Sequence, residues 1–86
     1  MAEQLIGHVT HYFGKAQVAG IKITDGELSV GDTIHIVGHT SDFTQSIESM
    51  QVDRAPVQSA KVGDEIGIKV SEHAREHDNV YRVLPD

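Results

Sequence analysis

The chain has no cysteine and no tryptophan, and its 86 residues hold only two prolines, two tyrosines and two phenylalanines. Without cysteine there is no disulfide staple, no thiolate metal ligand and no cysteine nucleophile. No stretch approaches the ~18 consecutive apolar residues of a membrane span. The opening "MAEQLIGHVTHYFGK" also lacks the uninterrupted apolar core of a secretory signal. The expectation is a soluble, cytoplasmic chain away from membranes. Bases are scarce too: seven against thirteen acids, for a net charge of −6. That is the wrong sign for a protein that grips phosphate backbones by itself. The seven are dispersed, and Tyr12, Phe13, Phe43 and Tyr81 are too few for a base-stacking platform. Strong autonomous binding to nucleic acid is not expected. No G-x-x-x-x-G-K-[ST] phosphate loop occurs; "HYFGKAQ" has one Gly-Lys without the first glycine or the hydroxyl for magnesium, which excludes GTP hydrolysis by this chain.

What the chain does have is β-branched residues. Ten valines and eight isoleucines stand against three leucines, a bias that suits a pleated surface. At this length the chain is one domain, residues 1–86 with core strands within 5–84. Such a chain buries only about 60–65% of its unfolded surface, so most of it must share one core.

The apolar pattern alternates with period two rather than 3.6. "LIGHVTHYF" (5–13) and "AQVAGIKI" (16–23) read as a hairpin across Phe13-Gly14-Lys15, with Gly20 marking a bulge. In the first strand Leu5, Gly7, Val9, His11 and Phe13 share one face. "TIHIVGH" is a third strand with Ile34 and Ile36 on one face, and "SIESMQVD" (46–53) an irregular fourth. "EIGIKV" (65–70) and "NVYRVL" (79–84) complete six. "TDGELSVGD", "HTSDFTQ" and "RAPVQSAKVGD" read as connections, the last because Pro56 lacks the N–H that a central strand needs. "SEHAREH" (71–77) reads as a loop with at most one helical turn. The fold class is all-β: a small, closed or nearly closed antiparallel barrel of six or so strands, an arrangement that removes open sheet edges.

One device is written twice. "SVGDTIHIVG" (29–38) returns as "KVGDEIGIKV" (61–70), each with Val-Gly-Asp ahead of an Ile-x-Ile strand. Glycine supplies a positive φ at low steric cost and aspartate bonds nearby backbone amides, so each copy turns the chain sharply. Val30 and Val62 would anchor the turns on the core. A third, degenerate copy is "EHDNVYRV", with His77-Asp78 in place of Gly-Asp; histidine tolerates a left-handed backbone better than most residues.

The run "IGHVTHYFGKAQVAGIKITDGELSVGDTIHIVGH", then "TQSIESMQVDRAPVQSAKVGDEIGIKV", then "DNVYRV" resembles the second domain of translational GTPases, the barrel that follows the G domain in elongation factor Tu. It is also similar to the small barrel appended to collagenase-like peptidases and their tRNA-hydroxylating relatives. The "G-x-L-x-V-G-D" turn at 26–32 and "A-x-x-G-D-x-I-G-I" at 60–68 carry the likeness. It implies a docking module, since such barrels serve proteins with different activities. In elongation factor Tu the strand matching Ile47 to Met50 borders the pocket for the aminoacyl end of tRNA. Carried over, Glu48 becomes a candidate partner-binding residue.

The remaining chemistry is sparse. His73 and His77 have the i, i+4 spacing of two metal ligands, which works only on a helix. His35 and His39 lie roughly 13 Å apart along a strand, too far to share one ion. "SEHAREHD" holds Ser, His and Asp, but no strand-turn-helix elbow frames Ser71. Asp32 and Asp64 belong to turns. No catalytic residue, metal ligand or cofactor is assigned. Phe43, in a polar stretch, is a candidate exposed contact, or else a plug closing one barrel end. The function expected is a non-enzymatic binding module for a protein or ribonucleoprotein partner. The alternative is an accessory subunit that supplies in trans the barrel of a collagenase-like peptidase or tRNA-hydroxylating enzyme.

Overall fold

The computed structural model describes residues 2–84, in which ten strands and no helix occur. These are β1 (Ala2–Phe13), β2 (Val18–Ile23), β3 (Glu27–Ser29), β4 (Thr33–Val37), β5 (Asp42–Ser46), β6 (Met50–Val52), β7 (Ala55–Val57), β8 (Ser59–Lys61), β9 (Glu65–Lys69) and β10 (Asn79–Leu84). Eight form one sheet in the order β5-β4-β10-β1-β2-β9-β6-β7, and β3 pairs with β8. Every pairing is antiparallel.

The strand count corrects the expectation of six. The additional strands lie inside the supposed connections: β3 in "TDGELSVGD", β5 in "HTSDFTQ", β7 and β8 in "RAPVQSAKVGD". Three of them have only three residues, too short to show a period, and β5 is polar at every position but Phe43. The irregular "SIESMQVD" is not one strand; Ile47–Ser49 cross from β5 to β6 while Ile47 and Met50 both stay buried. Pro56 lies in β7, an edge strand, opposite Gln51. The two-residue hairpin closes on the hydrogen-bonded pair Val52–Ala55, so the next pair is a non-bonded one and the Pro56 nitrogen faces outward, where no N–H is needed.

Two bulges reset the faces of β1. Leu5 faces Tyr81 and Gly7 faces Val80, leaving Ile6 extra; Val9 faces Ile21 and His11 faces Gly20, leaving Thr10 extra. The sequence places the second bulge at Gly20, but the added residue is its neighbour across the ladder. The parity of the first strand changes accordingly. Ile6 and Val9 are fully buried, while Leu5 is 45% and Phe13 52% exposed. Gly7 sits where the strands come closest: a Cβ there would lie 2.0 Å from the Lys22 carbonyl oxygen.

The core is Ile6, Val9, Ile21, Ile23, Leu28, Ile34, Ile36, Ile66, Ile68 and Val80 with smaller neighbours. Three turns hold the strands around it, and they are one structure repeated. Gly31, Gly63 and His77 have φ of 98°, 96° and 73°. In each turn the following aspartate accepts a hydrogen bond through Oδ2 from the N–H three residues back: Ser29 to Asp32 at 2.8 Å, Lys61 to Asp64 at 3.0 Å, Arg75 to Asp78 at 2.9 Å. Each turn also exchanges two backbone bonds with one residue of another strand. The N–H groups of Gly31, Gly63 and His77 donate to the carbonyls of Ile47, Ile23 and Val9, whose own N–H groups donate to the carbonyls of Asp32, Asp64 and Asp78. The third copy, seen in the sequence only as a degenerate echo, is geometrically equivalent. Val30 packs against the core as expected. Val62 does not; it is 56% exposed.

Candidate functional site

The ladder of backbone pairs runs from β5 to β7 without rejoining among the described residues. Between β5 and the end of β9 the sheet is bridged by one side chain. The Gln45 amide donates from Nε2 to the Lys69 carbonyl at 2.8 Å and accepts at Oε1 from the Ser71 N–H at 2.7 Å, with the Ser71 hydroxyl also donating at 3.2 Å. A shallow groove of about 460 Å³ lies along this seam, lined by Gln17, Gln45, Glu48, Ser49, Lys69 and Val70 among others. Gln17 holds a left-handed φ of 56°, and its carbonyl accepts from the Val70 N–H at 2.9 Å, which fixes the far wall. Glu48 is exposed and lines this groove, so the structure puts the sequence candidate at a concave surface. Phe43 belongs elsewhere. It is 6% exposed and part of the core, because its strand alternates and position 43 faces inward with Ile36 opposite. Of its two expected roles the exposed contact is corrected, and the burial agrees with the alternative of a packed plug.

A second groove of about 520 Å³ crosses β1, β2 and β9, lined by His11, Phe13, Val18 and Ile66 and rimmed by Asp53 and Arg54. The exposed Phe13 ring stacks on His11 with centroids 4.4 Å apart. Asp53 and Arg54, both with positive φ (52° and 67°), form the two-residue β6–β7 turn. That geometry ordinarily selects Asn-Gly, and an arginine there carries backbone strain. Sequence reasoning missed Phe13 as a surface residue because the bulge at Thr10 is silent in the sequence.

His11, His35 and His73 each contact other side chains. Residues 71–77 form bends and turns, so His73 and His77 never share a helical face, and His73 stacks on Tyr12 at 4.3 Å. Among the described residues no group of three or more metal-ligating side chains converges. His35 stands between two carboxylates, with Nε2 2.5 Å from Asp42 Oδ1 and Nδ1 2.9 Å from Glu3 Oε2. The Asp42 hydrogen bond, aided by Glu3 and opposed by partial burial, raises its pKa above the ordinary histidine value. Only the imidazolium can donate to both partners at once.

Residues 16–78 match the family described as elongation factor Tu domain 2. The chain belongs to this family. Among individual proteins it is 38% identical over 77 residues to an uncharacterized protease of Methanocaldococcus jannaschii, covering 88% of this chain and 19% of that protein. It is 36% identical over 78 residues to a collagenase of Porphyromonas gingivalis, covering 90% of this chain and 22% of the collagenase. The domain thus spans about a fifth of the curated relatives it matches. Its fold is also that of the C-terminal domain of a Geobacillus thermoleovorans protein assigned to the U32 peptidases. That likeness has a TM-score of 0.86 at 18% identity, over 94% of this chain and 93% of the other. No helix of the described residues is long and apolar enough to cross a membrane.

Proposed function

We propose that the chain is a non-enzymatic docking barrel that engages a larger polypeptide of the collagenase-like peptidase class in the cytoplasm. The observation that carries this reading is one of extent. The likeness to two proteases takes in nine-tenths of this chain but only a fifth of theirs, so what is shared is a module that sits beside a separate body of protein. A module of this kind supplies binding surface, and its activity is set by what it accompanies. In this reading the sheet rolls into a closed barrel, with Gln45 supplying through its side chain the link that backbone pairing leaves out.

The test is to mix the purified chain with a collagenase-like peptidase polypeptide lacking its own C-terminal fifth. A stable complex by sedimentation, with micromolar or tighter affinity, is expected. In parallel, labelled bulk tRNA titrated across a salt series should bind no better than high-micromolar near physiological salt, because an acidic surface neutralises few phosphates. Submicromolar tRNA binding with a steep salt slope, and no protein complex, would sink the reading in favour of a ribonucleoprotein role. Gelatin hydrolysis by the isolated chain would remove its non-enzymatic part.

A further inference from the structure

We infer that the seam beside Lys69–Ser71 seats a short extended segment of a partner polypeptide, with Gln45 as a displaceable stand-in for that segment's main chain. The inference rests on the docking reading and deepens it. A side-chain amide has the donor and acceptor chemistry of a peptide unit, a C=O acceptor and N–H donors, of which glutamine carries two. Gln45 spends them on the carbonyl of Lys69 and the N–H of Ser71, two main-chain groups on either side of Val70 that an added strand would otherwise take. Across the seam β5 offers the matching edge. Ser41 and Ile47 exchange their backbone bonds with Gly38, Gly31 and Asp32 on the β4 side. By the alternation of an antiparallel ladder, Thr44 and Ser46 therefore turn their main-chain groups away from β4, into the seam, where the Ser46 carbonyl takes a long 3.4 Å bond from Gln45 Nε2.

The other edge of the sheet is closed to the same chemistry, since Pro56 occupies the outward position of β7. Within the eight-stranded sheet, strand addition is thus directed to the β5 side. Charge selects the occupant further: exposed Glu48 and Lys69 both line the groove, and the surplus of acid in a chain of net charge −6 tips the balance toward a basic segment. The segment it fits is extended and carries a lysine or arginine within reach of Glu48. Main-chain hydrogen bonds would supply the affinity and that side chain the selectivity.

The test uses the full chain, isotope-labelled, and a pool of blocked heptapeptides that alternate β-branched residues with lysine. The amides of Thr44, Ser46 and Ser71 should shift on titration, and N-methylation of the central peptide amide should abolish the effect. Gln45→Ala should bind the peptides about tenfold more tightly, because the stand-in no longer has to be displaced, a gain of about 1.4 kcal/mol. Gln45→Glu, which can accept from Ser71 but not donate to Lys69, should move the same way and covers the case of a misfolded alanine variant. Glu48→Lys should weaken the lysine-bearing peptides. Silence of the Ser71 amide at millimolar peptide, or unchanged or weaker binding by both Gln45 variants, would overturn the inference. The same shifts produced by a single-stranded RNA oligonucleotide and not by peptides would reassign the seam to nucleic acid. If the complex with the peptidase polypeptide survives Gln45→Ala and Glu48→Lys while peptides fail, the seam inference falls and the docking reading stands.

Discussion

The turns at Gly31-Asp32, Gly63-Asp64 and His77-Asp78 each clasp one residue elsewhere in the chain through two backbone hydrogen bonds while a carboxylate braces the turn, whereas β5 and β9 are joined through the side chain of Gln45. The clasps are over-determined: losing one bond leaves others in register. The seam has no such redundancy. A domain built this way keeps its frame rigid and concentrates its adaptability in one place, as expected where binding surfaces are drawn from the less stable parts of a fold.

The comparison can be broken most severely at Gly7. Gly7→Ala sets a Cβ 2.0 Å from the Lys22 carbonyl oxygen, a backbone atom that can move only with β2. A loss of about 3 kcal/mol is expected in urea unfolding. Next come the turns. Gly31→Val and Gly63→Val should each cost roughly 1–3 kcal/mol from the positive φ alone, since nothing lies within 4 Å of a Cβ at either site. Melting temperatures equal to wild type would show that the clasps are not the frame. At the seam, Gln45→Ala should cost about 1 kcal/mol or less, the net worth of an exposed hydrogen-bonded amide. A larger loss would make the seam part of the frame and erase the contrast.

Two smaller effects sharpen it. His77→Gly should be close to neutral, because relief of strain is offset by the entropy that glycine adds to the unfolded chain. His35→Gln should lower the melting temperature only in acid solution. With its folded pKa raised above the unfolded value, His35 contributes stability fully below pH ~6.5, and the contribution fades as pH rises through the folded value. The difference from wild type should therefore shrink between pH 6 and pH 8.5. It should stay under ~1 kcal/mol, being a partly exposed pair, and the opposite trend would mean that the carboxylates do not hold the imidazolium.

The clasps were legible in the sequence and the seam was not, for physical reasons. Gly31-Asp32 and Gly63-Asp64 announce themselves because a positive φ and a short carboxylate are local requirements, and even His77-Asp78 could be recognised by position. The inward residues Ile34, Ile36, Ile66 and Ile68 follow from period two. In contrast, the bulges at Ile6 and Thr10 are set by how β1 pairs with β10 and β2, so the placing of Leu5, Gly7, Val9, His11 and Phe13 on one face failed. Strand β5 went unseen because it is polar at every position but Phe43, which is why the sequence left that residue open between an exposed contact and a plug. Glu48 was reached through likeness to a family rather than through any pattern of its own. Gln45 had no signal, since an isolated glutamine in a polar stretch shows neither what it bonds nor that a strand surrounds it.

The clasps also imply an order of assembly. Asp32 closes on Ile47, a short way along the chain; Asp64 reaches back to Ile23; Asp78 reaches Val9, across most of its length. Loop-closure entropy grows with each span, and pairings between distant residues slow folding. The middle of the chain can gather around the first clasp early. The first and last strands, β1 and β10, meet only once Asp78 has been made. During synthesis the barrel therefore stays unfinished until β10 has left the ribosome, and until then β1 is paired on its β2 side alone and leaves its other edge open.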